Sequence, residues 1–518
     1  MSGEKADVCL LLEGSYPYLK GGVSSWVHQL VTELSDVSFA IFYLGSRKET
    51  TGNMLYDLPR NIVAYREVFL YDKLHEREAE RGHLTLKERK ELYERLEALY
   101  LGRSKEDQVR IFFELIDLRE ALGERLTFAN LCEDREVWLI MEKVYEAFCP
   151  NESFIDFFWT ARFLHLPVWK LLDRAAMPPP ARMYHSASTG FAGLAGAIAS
   201  RRYEAPYLIT EHGIYAKERI AEISTAKWIY QPKSSWFQPE LGLGKIKLMW
   251  IKLFTFLGDI SYAEADRVIS LYDGNTHVQE EFGADRRKLH VIPNGIDISR
   301  YDAAFEKRRS RLQSPAEGRV CIGFIGRVVP IKDVKTLLRA AKIVVQKNAK
   351  VIFKLIGPLD EDPEYSMECR EMVDILDLQE HIVFTGPQNI VDVIHELDVL
   401  VLTSFSEGQP LTIMEGFSAG IPVVSTDVGG CRELIFGRTP EDKEIGRAGF
   451  LTKICSPHDT AASLLGMMGS PEQFVTLGEA GRRRMERYYY QDRIMNLYRG
   501  LYTGRSWVSP SESAPSIT

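Results

Sequence analysis

Two carboxylates with seven residues between them, Glu407 and Glu415 in SEGQPLTIMEG, are spaced to hold a polyhydroxylated ligand. Gly408 and Pro410 suit a turn and Thr412 a helix start, which puts Glu407 on the loop before a helix and Glu415 one turn inside it. A helix N-terminus presents unpaired N–H groups and a partial positive charge, which suits a phosphate. A carboxylate one turn down repels phosphate but accepts hydrogen bonds from a vicinal diol. Phosphate at the helix mouth and hydroxyls on the carboxylates together describe a nucleotide sugar. Acidic residues at a helix start also serve simply to complement its dipole, so other residues must decide.

Those residues follow from the elements around them. The run LDVLVLTS before Glu407 is almost wholly apolar, as in a strand buried on both faces of a parallel sheet, and open α/β sheets bind ligands at the carboxyl ends of such strands. RVCIGFIG reads as another strand, closed by Gly326, with Arg327 next and Lys332 just before the helix KTLLRAAKIVVQ. Two cations beside a helix start form a candidate pyrophosphate site, although a pair of surface cations would read the same way. Neither a Walker loop nor the GxGxxG fingerprint is present. Earlier in the chain, DVCLLL reads as a first buried strand, followed by Gly21 and Gly22 at the start of an amphipathic helix. Glycines there let the backbone approach a bound group. The strand APYLIT runs into Glu211, His212 and Gly213, and LHVIPNGID ends in Asn294 and Gly295. IPVVST leads to a glycine pair, Gly429 and Gly430.

Between these α/β stretches, residues 72–180 are charged and helical, with Leu92, Leu96 and Leu99 at helical spacing, and read as an insertion in the first domain. Residues 226–258 interleave aromatics with Lys245, Lys247 and Lys252. This reads as a packing helix with its lysines on the wet edge, or as a helix lying on a membrane. A polar stretch over 301–318 reads as a linker, and a Ser/Pro tail from Ser506 as disordered.

At 518 residues, with 45% hydrophobic and 26% charged residues, the chain is that of a soluble globular protein of several domains. A net charge of −8 argues against broad nucleic-acid binding. Seven scattered cysteines, without metal-ligand spacing, fit a reducing compartment. VCLLL is too short for a signal peptide, and no apolar run reaches the length of a membrane span, so the sequence reads as cytosolic.

KGGV at 20–23, EHG at 211–213, VIPNGID at 291–297, FIGRVVPIKD at 324–333 and SEGQPLTIMEGFSAGIPVVSTDVGG at 406–430 together resemble the retaining nucleotide-sugar glycosyltransferases of glycosyltransferase family 4. The resemblance implies an α/β chain of GT-B fold, with two facing Rossmann-like domains. The first would cover residues 1–300, and the second, 319–482, would bind the nucleotide sugar; a C-terminal helix over 483–505 would cross back to the first. It also implies that Arg327 and Lys332 take the diphosphate, Glu415 the ribose hydroxyls and Glu407 the hydroxyls of the transferred sugar. Asn294, Gly326 and the backbone of Gly408, Gln409, Pro410, Leu411 and Thr412 would line the donor. His212 would meet the sugar, and Gly21 and Gly22 would close over the phosphates, with Lys20 beside them. His212, Arg327, Lys332 and Glu407 are the implied catalytic set. Because cations and helix dipoles would stabilise the leaving diphosphate, no metal or other cofactor is expected.

VCLLLEGSYPYLKGGVSSWVHQL and the long insertion further resemble the PelF-like enzymes of bacterial Pel exopolysaccharide synthesis. This implies a UDP-sugar donor, UDP-glucose or a UDP-N-acetylhexosamine, and a growing polysaccharide as acceptor. It also implies the inner-membrane components PelD, PelE and PelG as partners, with recruitment to the inner face of that membrane. The rival readings are a UDP-sugar epimerase on the same fold and a non-catalytic nucleotide-sugar-binding subunit of a membrane synthase.

Overall fold

The computed structural model describes residues 5–74, 78, 80–102, 104–173, 176–226, 228–229, 243–313, 319–470 and 472–504. The Ser/Pro tail from Ser506, residues 314–318 of the expected linker and most of the aromatic stretch 227–242 lie outside the described residues. The chain divides into two compact units. One runs to Ile269 and includes His277–His290; the other takes Ser270–Thr276 and the chain from Val291.

Strands β1 (Ala6–Glu13), β2 (Phe39–Gly45), β3 (Ile62–Phe69), β4 (Ala181–Ser186), β5 (Tyr207–Glu211), β6 (Arg267–Ser270) and β7 (Leu289–Val291) form a sheet of order β3-β2-β1-β4-β5-β6-β7. β1 pairs in parallel with both β2 and β4, so the strand order reverses there. Val8 to Leu12 are all buried, because side chains on both faces of the sheet meet covering elements. That is why the strand reads as an unbroken apolar run.

The helical insertion sits between β3 and β4 as Leu86–Leu101, Lys105–Leu122, Phe128–Glu133, Arg135–Phe148 and Phe154–Leu171. Thr85 and Glu88 form a capping box at its first helix, and Leu92, Leu96, Leu118, Leu122, Ile140 and Trp169 build a small core of its own. The lysines of the helix Lys245–Glu264 divide. Lys245 and Lys252 are exposed, as expected of a wet edge, but Lys247 is buried and donates to the Ser224 carbonyl at 2.9 Å. It satisfies an orphan acceptor at the C-terminal end of the helix Tyr215–Thr225.

The second unit holds β8 (Val320–Ile325), β9 (Val351–Ile356), β10 (Ile382–Gly386), β11 (Val399–Leu402), β12 (Val423–Thr426) and β13 (Gly449–Thr452), in the order β10-β9-β8-β11-β12-β13. Val399 and Val401 enter one apolar core and Leu400 and Leu402 the other, so β11 is buried on both faces. β8 pairs in parallel with β9 and β11, and the order reverses between them.

Three boundaries differ from the sequence reading. The chain from Val291, expected to close the first domain, is part of the second unit: the Ile296 N–H donates to the Tyr489 carbonyl at 2.9 Å, and Gly295 lies against Gln491 and Ile494. The expected linker contains the helix Asp302–Gln313. Its Arg308 is buried and donates to the carbonyls of Leu397, Asp398, Gly420 and Phe474, which no solvated linker would do. The C-terminal segment is two helices, Glu472–Tyr488 and Gln491–Thr503. The first carries Arg484 and Met485 into the second unit's interior, so no boundary falls at 482. Among the described residues no helix is long and apolar enough to cross a membrane.

Candidate functional site

Glu407 and Lys332 stand at the strand-order reversal of the second unit, on the loops after β11 and β8. Lys332 Nζ donates to Glu407 Oε1 at 2.6 Å, with only 18% and 12% of the two side chains exposed. Ser404 Oγ donates to the same Oε1 at 2.5 Å. The two loops are laced together beneath this contact. Thr403 Oγ1 donates to the Lys332 and Asp333 carbonyls at 3.0 Å each, and the Phe405 N–H to the Ile331 carbonyl at 2.9 Å. The sequence reading gave Lys332 to a diphosphate and Glu407 to a sugar as separate groups. In the structure they form an ion pair with each other.

The Glu407 turn is moulded by the glycine pair. The Gly430 N–H donates to the Gly408 carbonyl at 2.7 Å, and a Cβ on Gly429 would lie 2.1 Å from the Glu407 carbonyl oxygen. Gly429 also has φ +54, so no side chain fits there on either count. The helix begins at Leu411, one residue earlier than expected, with Pro410 as an N-cap that offers no side-chain hydrogen bond. The neighbouring helix Val334–Lys347 is different: Asp333 caps it by accepting from the Thr336 N–H at 3.2 Å. Of these two helix starts, the one between Glu407 and Glu415 has no side-chain cap.

Glu415 lies in that helix and is half-buried. Burial pushes its carboxyl up to about 7 from 4.5, against the lowering pull of a hydrogen bond from Tyr301 and the charge of Arg300. Tyr301 is itself buried, at the end of the short 3₁₀ helix Ile298–Tyr301.

The side chains of Arg327 and Gln409 are engaged with other residues of the second unit. Arg327 Nη1 is turned to Glu361 Oε2 at 2.6 Å on the surface, rather than standing with Lys332. The side chain of Gln409 is spent on structure. Its Oε1 accepts from the Asn294 N–H at 2.6 Å and its Nε2 donates to the Leu271 carbonyl at 3.4 Å. Gln409 and Asn294 therefore meet each other, and the loop 407–410 is tied to the turn at 294. Gly326 keeps its backbone place: its N–H donates to the Ile356 carbonyl at 2.9 Å, and a Cβ on Gly357 would fall 2.0 Å from its oxygen.

His212, Gly21 and Gly22 belong to the first unit. Gly21 is the N-cap of the helix Gly22–Glu33, whose Trp26 packs edge-on against His212 at 4.8 Å between ring centroids and against His185 at 5.8 Å. One helix thus connects the glycine loop to the histidine. Burial takes His212 down to about 4 and, with His212 beside it, His185 down to about 3, so both are neutral at pH 7. His212 Nε2 has no hydrogen-bond partner among the described residues. At this unit's own strand-order reversal, Glu13 Oε2 accepts from the Ala192 N–H at 3.3 Å, and its Oε1 from the Tyr215 hydroxyl at 2.8 Å. A carboxylate therefore already stands at the start of the helix Phe191–Tyr203, whereas the helix Gly22–Glu33 starts at Gly21 without a side-chain cap.

Sequence reasoning missed Ser404, Tyr301, Trp26, Glu13 and Glu361. Ser404 alone had a local signal, a serine three residues before a glutamate on a loop. The others meet their partners only through the fold.

Residues 6–287 match the family model described as "Domain of unknown function (DUF3492)", and residues 319–469 the one described as "Glycosyl transferases group 1". D-inositol 3-phosphate glycosyltransferase of Rhodococcus erythropolis is 24% identical over 264 residues, covering 49% of this chain and 58% of that protein. The same enzyme of Nocardia farcinica is 26% identical over 223 residues, covering 42% and 48%. The chain spans about half the length of the curated relatives it matches. Among solved structures, Anabaena HepE in complex with UDP and glucose is 15% identical with a TM-score of 0.56, covering 96% of this chain and 99% of that one. Sucrose-phosphate synthase of Thermosynechococcus elongatus is 16% identical with the same TM-score and coverage. The two parallel-sheet units and these likenesses give the fold as GT-B.

Proposed function

The chain belongs to the family described as DUF3492, and we propose that it is a glycosyltransferase that moves a hexose from a UDP-sugar to a growing polysaccharide. The observation that carries this reading is the second unit's strand-order reversal. There the cation of Lys332 and the carboxylate of Glu407 lie on adjoining loops, next to an uncapped helix start with Glu415 one turn inside it. Phosphate, sugar and ribose each find a group of matching chemistry there. The match of residues 319–469 to group 1 glycosyl transferases supports the reaction class, and the HepE structures holding UDP with glucose and UDP-glucose support the donor.

In this reading Lys332 and the helix start stabilise the diphosphate as the sugar–phosphate bond breaks, and Arg327 joins them by leaving Glu361. Preorganised donors of this kind each lower the barrier by roughly 3 kcal/mol. Glu415 accepts from the ribose hydroxyls as a carboxylate. Glu407 holds the hexose hydroxyls, and His212 is a neutral hydrogen-bonding group rather than a cation. The positive charge that the leaving group needs comes from side chains, so the transfer runs without a metal. The anomeric configuration is retained by same-face attack, with the leaving phosphate oxygen taking the acceptor's proton. Glu407 as a covalent nucleophile is the alternative route, and this reading assigns it to the hexose hydroxyls instead. The finer placement is in Pel-type exopolysaccharide synthesis, with UDP-glucose as donor and PelD, PelE and PelG as partners at the inner membrane. Its support is the wording of residues 8–30 and the helical insertion.

Titration calorimetry with UDP, ADP and GDP, then with UDP-glucose and UDP-N-acetylhexosamines, tests the reading. UDP-selective binding that weakens in Glu415→Ala is the expected result. Binding indifferent to the base, or to Glu415, would remove the site assignment. Turnover of UDP-glucose to an altered nucleotide sugar without any acceptor would favour an epimerase instead.

A further inference from the structure

Oε1 of Glu407 accepts two hydrogen bonds, from Lys332 Nζ at 2.6 Å and from Ser404 Oγ at 2.5 Å. The two donors differ in how firmly they are held. Lys332 ends a flexible four-carbon stem and is partly exposed. Ser404 is fully buried, and its backbone is fixed from two sides. Its carbonyl accepts from Thr426 Oγ1 at 2.7 Å, and its neighbour Thr403 is bonded to the Lys332 and Asp333 carbonyls. A diphosphate carries more negative charge than one carboxylate, so a lysine within reach of both turns to the diphosphate. Glu407 then loses its cation at the moment it must face the hexose.

Resting on the reading above, we infer that Ser404 is a positioning residue whose hydroxyl holds Glu407 by Oε1 when Lys332 turns to the donor's diphosphate, leaving Oε2 to meet the hexose. The donor's diphosphate divides the Lys332–Glu407 pair. Ser404 is the donor that stays. It has one hydroxyl proton, and that proton is committed to Oε1. A serine at this position therefore selects for the sugar part of the ligand without touching the nucleotide part.

The experiment compares UDP with UDP-glucose by calorimetry, and measures transfer kinetics, for the full chain and the isosteric pair Ser404→Thr and Ser404→Val, with Ser404→Ala beside them. Threonine keeps the hydroxyl and valine removes it at the same volume, so packing changes are common to both. The expected result for Ser404→Val and Ser404→Ala is UDP affinity within about twofold of wild type, with the added affinity of UDP-glucose over UDP reduced about tenfold and kcat falling with it. Ser404→Thr is expected to restore both. An unchanged preference for UDP-glucose in Ser404→Val overturns the inference, and so does an equal loss of UDP and UDP-glucose affinity, because that is what a merely structural serine would give. A wild-type chain that binds neither UDP nor UDP-glucose overturns the inference together with the reading beneath it.

Discussion

Burial and function pull Glu415 in opposite directions. Desolvation favours its neutral form, while a ribose diol calls for a charged acceptor. With the carboxyl at about 7, nucleotide binding draws out a proton near neutrality. UDP affinity should therefore rise as pH climbs from about 6 to 8, and the slope should vanish in Glu415→Gln, which should itself bind UDP at least tenfold more weakly. Calorimetry across buffers of different ionisation enthalpy would detect the released proton. Folding responds with its own sign. Glu415 and Glu433, both raised to about 7 from 4.5 chiefly by burial, bind protons more tightly in the folded chain, so their contribution to stability is present below 4.5 and is lost as pH rises towards 7. Lys332 belongs to the same scale: Lys332→Met should cost UDP affinity about tenfold or more, read in the same titration, and leave Glu407 with Ser404 alone.

Elements bring these residues together by backbone contact rather than by side-chain reach. The turn bearing Glu407 lies directly on Gly429, where an added Cβ would meet the Glu407 carbonyl oxygen at 2.1 Å and φ is +54. Gly429→Ala should therefore lower stability by about 1–3 kcal/mol and weaken UDP-glucose more than UDP, because the displaced turn carries the sugar-facing carboxylate. Thermal unfolding and the paired titrations would show this. An alanine that leaves both unchanged would mean the turn is free to shift. The helix Leu411–Ser418 is short and buries Ile413, Met414, Gly416, Phe417 and Ser418, so its rigidity comes from packing, not from intrinsic helicity.

Across the whole molecule each unit has its own interior, and that of the second is braced by buried arginines. Arg484 is fully buried and donates to Asp442 at 2.6 Å and to the carbonyls of Leu434, Ile435, Asp442 and Gly446. Arg484→Met would strand the Asp442 charge and take a donor from the Leu434 carbonyl near the end of the helix Cys431–Phe436, while the Ile435 carbonyl keeps the Ala448 N–H at 2.9 Å, costing about 3–5 kcal/mol. Adding Asp442→Leu should recover part of that loss, and denaturant unfolding of the single and double variants would measure it.

The strands were legible in the sequence because parallel sheets covered on both faces demand unbroken apolar runs such as VCLLL and VLVL. The positions of the candidate residues in the fold were legible as well, since Glu407, Glu415, Lys332 and the glycines lie at carboxyl ends of strands or at helix starts that local chemistry marks. What the sequence could not show is which of them meet. Strand order β9-β8-β11-β12 sets the loop of Lys332 beside that of Glu407, 75 positions on, and sends Arg327 to Glu361 and Gln409 to Asn294 instead. The polar stretch 302–313 misled for the same reason. Its Arg308 is paired by carbonyls from three distant segments, and a composition cannot say where such acceptors lie. Residue chemistry is local and can be read along the chain. Pairing between charges depends on distance in space, which only the packed sheet decides.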